Sequence, residues 1–256
     1  MILYINGDSH AAGAEAVTPH AWAEDDGDLW GHGRVPHPTN EAASFGAILS
    51  NLLKVERINQ SQSGGSNPRI LRTTREWIHT NPSMLDKVFM LIQWSTWERE
   101  EWFYDNIWWQ VNASGVDTVP SALVQRYKEF VANVDWTIVT RRAHEEIWAF
   151  HHELTELGIP HLFFNANSHF GGTHLHNNLQ VPIISEQRDW NKSYISPYSV
   201  DYTYNKVLLD NGFSRVNPES YHFGADAHCF WGKYLLQYIQ SNQLWPTHEI
   251  SANRFV

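Results

Sequence analysis

Four short apolar segments recur along the chain, and stretches with helical periodicity separate them. Lys87–Gln93 is the clearest of these segments, because its apolar run is unbroken, as in strands buried on both faces of a parallel sheet. Strands that alternate with helices at these lengths predict a parallel sheet covered by helices on both faces. The predicted strands are Ile2–Ile5, Val55–Ile58, Lys87–Gln93 and His161–Asn165; the predicted helices are Glu41–Leu53, Pro68–His79, Ser121–Leu157 with a break near 134–137, Val200–Leu209 and Gly224–Gln240.

Composition narrows the class of function. Apolar residues make up 42% of the 256 residues and charged residues 18%, which is typical of a folded globular protein. The formal net charge of −10 argues against nucleic acid as a partner, because phosphate binding requires clustered Lys and Arg. The single cysteine, Cys229, excludes an internal disulfide framework and a cysteine-based metal site.

The chain shows no sign of export or membrane insertion. No basic leader followed by an apolar run opens the sequence, and no apolar stretch approaches about 18 residues. We therefore expect no signal peptide, no transmembrane segment and no membrane partner, and a cytoplasmic or virion-associated location.

The end of the first predicted strand carries a potential nucleophile. Asn6-Gly7-Asp8 is a tight-turn cluster, and Ser9 follows it directly. A serine on the turn that leaves a central strand is lifted clear of the sheet, and several hydrolase folds use this position for their nucleophile. The alternative is that Ser9 caps a helix or closes a turn, as most serines in Gly-Asp-Ser sequences do.

Two further segments follow predicted strands and should reach the same edge of the sheet. Gly64 lies in a glycine-rich turn after the second strand, where the backbone can approach a ligand and point N–H groups at it. Thr96 follows the third strand. Ligands of parallel α/β sheets bind beyond the carboxyl ends of the strands, so we expect Ser9, Gly64 and Thr96 on one rim.

The histidine most suited to act as a base is His222, in the loop before the last predicted helix. Glu219, three residues earlier, is placed to bond the second ring nitrogen. Asp226 and His228 are the competing pair, but two residues apart in a helix their side chains point in different directions. We therefore predict that His222 pairs with Glu219.

The order of these motifs resembles a known family. Gly7-Asp8-Ser9, Gly64 after the second strand, and the acid-x-x-His arrangement of Glu219 and His222 look like blocks I, II and V of the SGNH (GDSL-type) hydrolases. The segments 63–70 and 93–99 also resemble an uncharacterised branch of that family found in phage genomes. The family's third block, Gly-x-Asn-Asp, would fall on 95–98, where its oxyanion-hole asparagine is missing.

The resemblance implies a fold and an activity. The fold would be a three-layer α/β/α sandwich with a central, mostly parallel sheet of the flavodoxin-like type, in a single domain spanning residues 1–256. Inserted loops would lie near 11–39, 97–119 and 166–199. The activity would be hydrolysis of short acyl esters without a cofactor, with Ser9 as nucleophile, His222 as base and Glu219 behind the imidazole. The backbone N–H groups of Ser9 and Gly64, helped by the hydroxyl of Thr96 or Ser95, would hold the oxyanion.

Thirteen tryptophans leave two interpretations of the substrate region open. Exposed rings stack on sugars, which would favour an O-acetylated carbohydrate as substrate; buried rings would instead belong to the core or to a subunit interface. The tryptophans that follow the third predicted strand are Trp94, Trp97, Trp102, Trp108 and Trp109.

Two other functions stay open. Without the oxyanion asparagine, the fold could serve as a catalytically weak or inactive structural or binding module, for instance a virion component or a homo-oligomer. A metal-dependent hydrolase is the weaker alternative, because His169, His174 and His176 lie close together in sequence but lack a carboxylate partner and helical spacing.

Overall fold

The computed structural model describes residues 1–21, 35–113, 119–176, 178–219 and 221–246. Its central sheet is parallel and has four strands: β1 (Ile2–Asn6), β2 (Glu56–Asn59), β3 (Val88–Trp94) and β6 (His161–Asn165). Their order across the sheet is β2-β1-β3-β6. All four predicted strands are confirmed to within about one residue at each end, because each combines an apolar run with a turn that ends it.

Helices alternate with the strands along the chain, and several of them pack against the sheet. The helices are α1 (Ser9–Ala12), α2 (Pro38–Ala42), α3 (Phe45–Leu53), α4 (Asn67–Thr80), α5 (Val124–Asn133), α6 (Trp136–Glu156), α7 (Tyr204–Asp210) and α8 (Ala225–Ser241). Because side chains alternate along a strand, neighbouring residues of β3 enter different cores. Met90 packs in a cluster with residues of α4 and α6, whereas Leu91 packs in a second cluster with residues of α3, α7 and α8.

Local capping decides where several helices begin. The predicted helix Glu41–Leu53 is divided in two, because the Ser44 side chain accepts a hydrogen bond from Ala47 N–H and starts α3 anew. Ser66, and not Asn67, caps α4 by accepting from Arg69 N–H. The predicted break near 134–137 is confirmed, since the Asp135 carboxylate caps α6. The first part of the predicted helix Val200–Leu209 is a 3-10 turn, Val200–Tyr202.

Two antiparallel hairpins lie in segments predicted as loops. One pairs β4 (Glu100–Tyr104) with β5 (Ile107–Val111), and the other pairs β7 (Thr173–His176) with β8 (Leu179–Pro182). The first hairpin buries Trp102 against Tyr127 of α5 in a small third cluster. Of the predicted loop 11–39, residues 22–34 lie outside the described part of the chain. No helix in the described ranges is both long and apolar enough to cross a membrane.

Candidate active site

Ser9 lies at the start of α1, on the turn that leaves the central strand β1. The turn passes so close to β3 that a Cβ atom on Gly7 would lie 2.7 Å from Gln93 Oε1, which explains the glycine. The same Gln93 oxygen accepts a hydrogen bond from Asp8 N–H at 3.1 Å, and Asp8 Oδ1 accepts one from His10 N–H. These contacts hold the turn, and with it Ser9, at the carboxyl edge of the sheet.

His222 contacts Ser9 across 213 residues of sequence: its Nε2 atom lies 2.8 Å from Ser9 Oγ. The segment that carries His222 is held by an antiparallel bridge between Arg215 and Phe223, and by a hydrogen bond from Val216 N–H to His222 O. Phe223 is fully buried in the core. The predicted contact between Ser9 and His222 is therefore present in the structure.

The second ring nitrogen of His222 contacts Glu15, with Nδ1 and Oε2 2.6 Å apart. Glu15 lies just past the end of α1, where Gly13 and Glu15 both have left-handed backbone conformations, with φ of 73° and 61°. A positive φ is uncommon for glutamate and is found often at functional sites. The next residue, Ala16, accepts a hydrogen bond from Ala225 N–H at the start of α8, which ties the two segments together.

The prediction that Glu219 contacts the second ring nitrogen is wrong. Glu219 is exposed, and its backbone N–H donates to Asn217 Oδ1 within its own turn. The sequence spacing of an acid and a histidine cannot show which way a turn directs its carboxylate. Glu15 was missed because its approach to His222 depends on a left-handed turn and on packing against a segment 207 residues away in the sequence.

The buried carboxylate of Asp8 stabilises the turn that carries Ser9. Asp8 is fully buried, and its Oδ2 atom accepts hydrogen bonds from Ser95 Oγ at 2.8 Å and from Arg99 Nη1 at 3.2 Å. Burial alone would raise the pKa of this carboxyl, but nearby positive charge and the hydrogen bonds bring it below its ordinary value. Asp8 is therefore ionised at neutral pH and is matched by Arg99.

Two other histidines near the site are buried and neutral. Burial lowers the pKa of His10 to about 4 and that of His228 to about 3. The His10 ring packs edge-on against the His222 ring, with centroids 5.4 Å apart. Because His10 is uncharged at neutral pH, it places no positive charge beside the His222 ring. His228 Nδ1 accepts from Phe45 N–H, so this rival base has a structural role.

Backbone N–H groups beside Ser9 are suited to bind an oxyanion. Ser9 N–H belongs to the first turn of α1, where a helix provides no acceptor of its own. Gly64 has φ of 78°, and a Cβ atom there would meet nothing within 4 Å, so this part of the loop faces open space. Gly65 packs against Gly7 and Asp8, which brings the loop to the nucleophile's turn. Within the described ranges, neither Ser9 N–H nor Gly64 N–H donates to a protein acceptor.

The structure does not assign the Thr96 hydroxyl to this group of donors. Thr96 Oγ1 donates to Glu98 Oε1 at 2.9 Å, and Ser95 Oγ donates to Asp8, so both hydroxyl protons considered from the sequence are engaged. The nearby amide of Asn67 is engaged as well: it donates to Ser95 O and accepts from Ser95 N–H. This side of the candidate oxyanion hole lacks a side-chain donor among these three residues.

The structure also shows where the tryptophans and the candidate metal-binding histidines lie. Trp94, Trp97 and Trp102 are buried in the cores, whereas Trp108 on β5 is exposed. His174 and His176 lie on β7 with ring centroids 6.5 Å apart. In the described ranges, no three His, Cys, Asp or Glu side chains group together as a metal site would require.

Fold and side chains together define an α/β protein with a serine, an imidazole and a carboxylate in hydrogen-bond contact at the carboxyl edge of its parallel sheet. Residues 34–132 match the model of a family of unknown function, DUF6071. That match includes Gly64 and the β4-β5 hairpin but not Ser9, Glu15 or His222. No curated protein and no solved structure matches the chain.

Proposed function

We propose that this protein is a serine hydrolase that cleaves short acyl esters, with Ser9 as nucleophile, His222 as base and Glu15 as the orienting carboxylate. One observation carries the proposal: Ser9 Oγ, the His222 ring and the Glu15 carboxylate form a continuous chain of contacts at 2.8 and 2.6 Å. Nucleophile, base and orienting acid at these distances are the recurrent arrangement of serine hydrolases on unrelated folds.

The first half of the reaction transfers the acyl group to the enzyme. Ser9 Oγ attacks the ester carbonyl carbon, and His222 Nε2 takes the hydroxyl proton. Glu15 stabilises the imidazolium that forms and holds the ring with Nε2 toward Ser9. The tetrahedral intermediate then collapses: the bond between the acyl carbon and the alcohol oxygen breaks, and His222 returns the proton to the departing alcohol.

The second half regenerates the enzyme. Water attacks the acyl-serine carbonyl while His222 Nε2 takes one of its protons. Collapse of the second tetrahedral intermediate breaks the bond to Ser9 Oγ, releases the carboxylic acid and returns the proton to Ser9. Backbone N–H groups of Ser9 and Gly64 stabilise the oxyanion in both halves.

The strand order supports a relationship to the SGNH hydrolases at the level of fold. The order across the sheet is β2-β1-β3-β6, and β6 is the fourth strand of this sheet in sequence. The order is therefore 2-1-3-4, which matches the first four strands of the flavodoxin-like sheet. Ser9 leaves β1 next to β3, where this order reverses and where such sheets bind ligands. We accordingly propose a three-layer α/β/α sandwich in a single domain.

The test is turnover of p-nitrophenyl acetate by wild type, Ser9→Ala and Ser83→Ala. Ser83 is an exposed serine in the turn Pro82–Lys87, so its variant is the matched control. We expect Ser9→Ala to fall to background and Ser83→Ala to retain wild-type turnover. A fluorophosphonate probe should label Ser9, as read by mass spectrometry. Full turnover by Ser9→Ala would refute the assignment of the nucleophile.

One observation favours a second candidate, a weakly active or inactive binding module that assembles with copies of itself or in a virion. The hydroxyls of Ser95 and Thr96 are engaged elsewhere, and losing one oxyanion donor typically costs about 10²–10³ in rate. Equal background rates for wild type and Ser9→Ala, together with a stable oligomer in size-exclusion chromatography, would support this candidate instead.

A further inference from the structure

A polar cavity, separate from the Ser9 site, lies beside the loop that follows β2. It has a volume of about 630 Å³ and is lined by four parts of the chain: residues 35–36, the loop 59–62, the first turns of α4 and the β4-β5 hairpin. This volume is in the range of pockets that hold small molecules. Ser9, Glu15 and His222 do not line it, so it is distinct from the candidate catalytic centre.

The charged side chains that line the cavity are Arg69, Arg72 and Glu101. Two of them neutralise each other: Arg72 donates to both Glu101 oxygens, with distances of 2.8 and 2.7 Å, and Glu101 is almost fully buried. Arg72 also pairs with Glu76, whose two oxygens lie 3.0 and 3.1 Å from its Nη1 group. Both carboxylates are thus bound to Arg72, and Arg69 has no carboxylate of its own.

Arg69 has no carboxylate partner among the described residues. Its Nη1 group donates to Gln60 O at 2.9 Å and lies 3.5 Å from Asn6 Oδ1, while its Nε and Nη2 groups donate to no acceptor in those ranges. Burial lowers the pKa of Arg69 to about 10, so the guanidinium is still charged at neutral pH. Arg69 is half-buried, so these unpaired donors are open to an anionic ligand in the cavity.

A second polar group in the lining also lacks a partner. Ser61 is buried, and its Oγ atom makes no hydrogen bond to the described part of the chain. Across the cavity, Trp108 forms an apolar wall, and the Arg72 guanidinium lies 4.7 Å from the centre of its ring. The wall is thus in place before any ligand binds. Arg69, Ser61 and Trp108 all line the same cavity.

We propose that this cavity binds a carboxylate-bearing sugar of the hexuronate type. The guanidinium fork of Arg69 matches a planar carboxylate, since two parallel N–H···O bonds can form. Ser61 offers a hydroxyl to the sugar, and Trp108 covers an apolar face of it. The loop that carries Ser61 continues to Gly64, so an acylated acidic glycan would place its carboxylate at Arg69 and its ester at Ser9. That last step rests on the proposed function; binding in the cavity does not.

The test is calorimetric titration of the Ser9→Ala protein with glucuronate, with glucose as the neutral counterpart. We expect glucuronate to bind and glucose to bind much more weakly. Arg69→Gln, added to the Ser9→Ala protein, should weaken glucuronate binding about ten- to a hundredfold, the equivalent of a lost charged hydrogen bond. Arg75→Gln is the matched control, because Arg75 lies on the same helix but pairs with Glu153 outside the cavity.

A second measurement keeps the test valid if Arg69→Gln does not fold. In ¹H–¹⁵N spectra of the Ser9→Ala protein, glucuronate should shift an arginine Nε–H signal that glucose leaves in place. No glucuronate binding, equal binding of glucose, or unchanged binding by a folded Arg69→Gln variant would overturn the proposal. Inactivity toward esters would refute only the proposed function, because the titration needs no turnover.

Discussion

The loop between β2 and α4 separates two polar regions that are built in opposite ways. On the Ser9 side, each charged group has a partner: Asp8 pairs with Arg99, and Glu15 pairs with His222. On the cavity side, the Arg69 guanidinium has no carboxylate within ion-pair distance in the described ranges, and Ser61 Oγ has no hydrogen-bond partner there.

This difference separates two kinds of site. A reacting centre requires its groups to be held in place before substrate arrives, so its charged side chains pair with one another. A binding cavity leaves polar atoms for the ligand to satisfy. Substitutions on each side of the loop test this contrast.

Glu15→Gln should reduce ester turnover by about 10²–10⁴-fold, because a carboxamide cannot stabilise the His222 imidazolium or hold the tautomer that presents Nε2 to Ser9. The measurement is kcat with p-nitrophenyl acetate, combined with a thermal melt to verify folding. Glu219→Gln is the control, and it should leave turnover unchanged, since Glu219 is exposed and does not contact His222. A large loss in Glu219→Gln alone would return the acid role to that residue.

Arg99→Met should destabilise the protein more than Arg69→Met. Removing Arg99 leaves Asp8 as a fully buried, uncompensated charge, which costs about 3 kcal/mol in the free energy of unfolding. Removing Arg69 leaves no buried carboxylate behind, so we expect a loss of about 1 kcal/mol from its hydrogen bond to Gln60 O. Urea unfolding of both variants gives the two values, and equal losses would contradict the contrast between paired and unpaired arginines.

Acid should destabilise the fold through its buried neutral histidines. The folded-state pKa of His10 is lowered to about 4, whereas an unfolded histidine titrates near about 6.5. As pH falls, the unfolded chain binds the proton first, so this part of the stability is complete above about pH 6.5 and is lost as pH approaches about 4.

The expected slope is about 1.4 kcal/mol per pH unit for His10 in that window. Unfolding free energies of His10→Gln measured between pH 7 and 4 should show a correspondingly shallower decline than wild type. His79→Gln, which replaces an exposed histidine at the end of α4, should keep the wild-type slope. An identical slope in His10→Gln would show that His10 does not contribute.

Parts of the fold and the site could be predicted because their signals are local. The apolar run of β3 and the turn after β1 are both properties of a few neighbouring residues, and parallel strands bring their carboxyl ends to one edge. That rule predicted that Ser9 lies at this edge, and the loop before the last helix was expected to bring His222 to the same edge. The β4-β5 hairpin was missed because its many aromatic residues obscure the alternation of exposed and buried positions expected of a strand.

The four strands of the central sheet, the serine on the first turn and the histidine before the last helix could be predicted from local patterns in the sequence. The folded structure was needed to learn which carboxylate reaches His222, that the hydroxyls of Ser95 and Thr96 are engaged, and that Arg69 lacks a counter-ion. The physical reason is that periodicity and turn chemistry act over a few residues. The partner of a polar group depends instead on how distant segments pack and on the left-handed turn at Glu15.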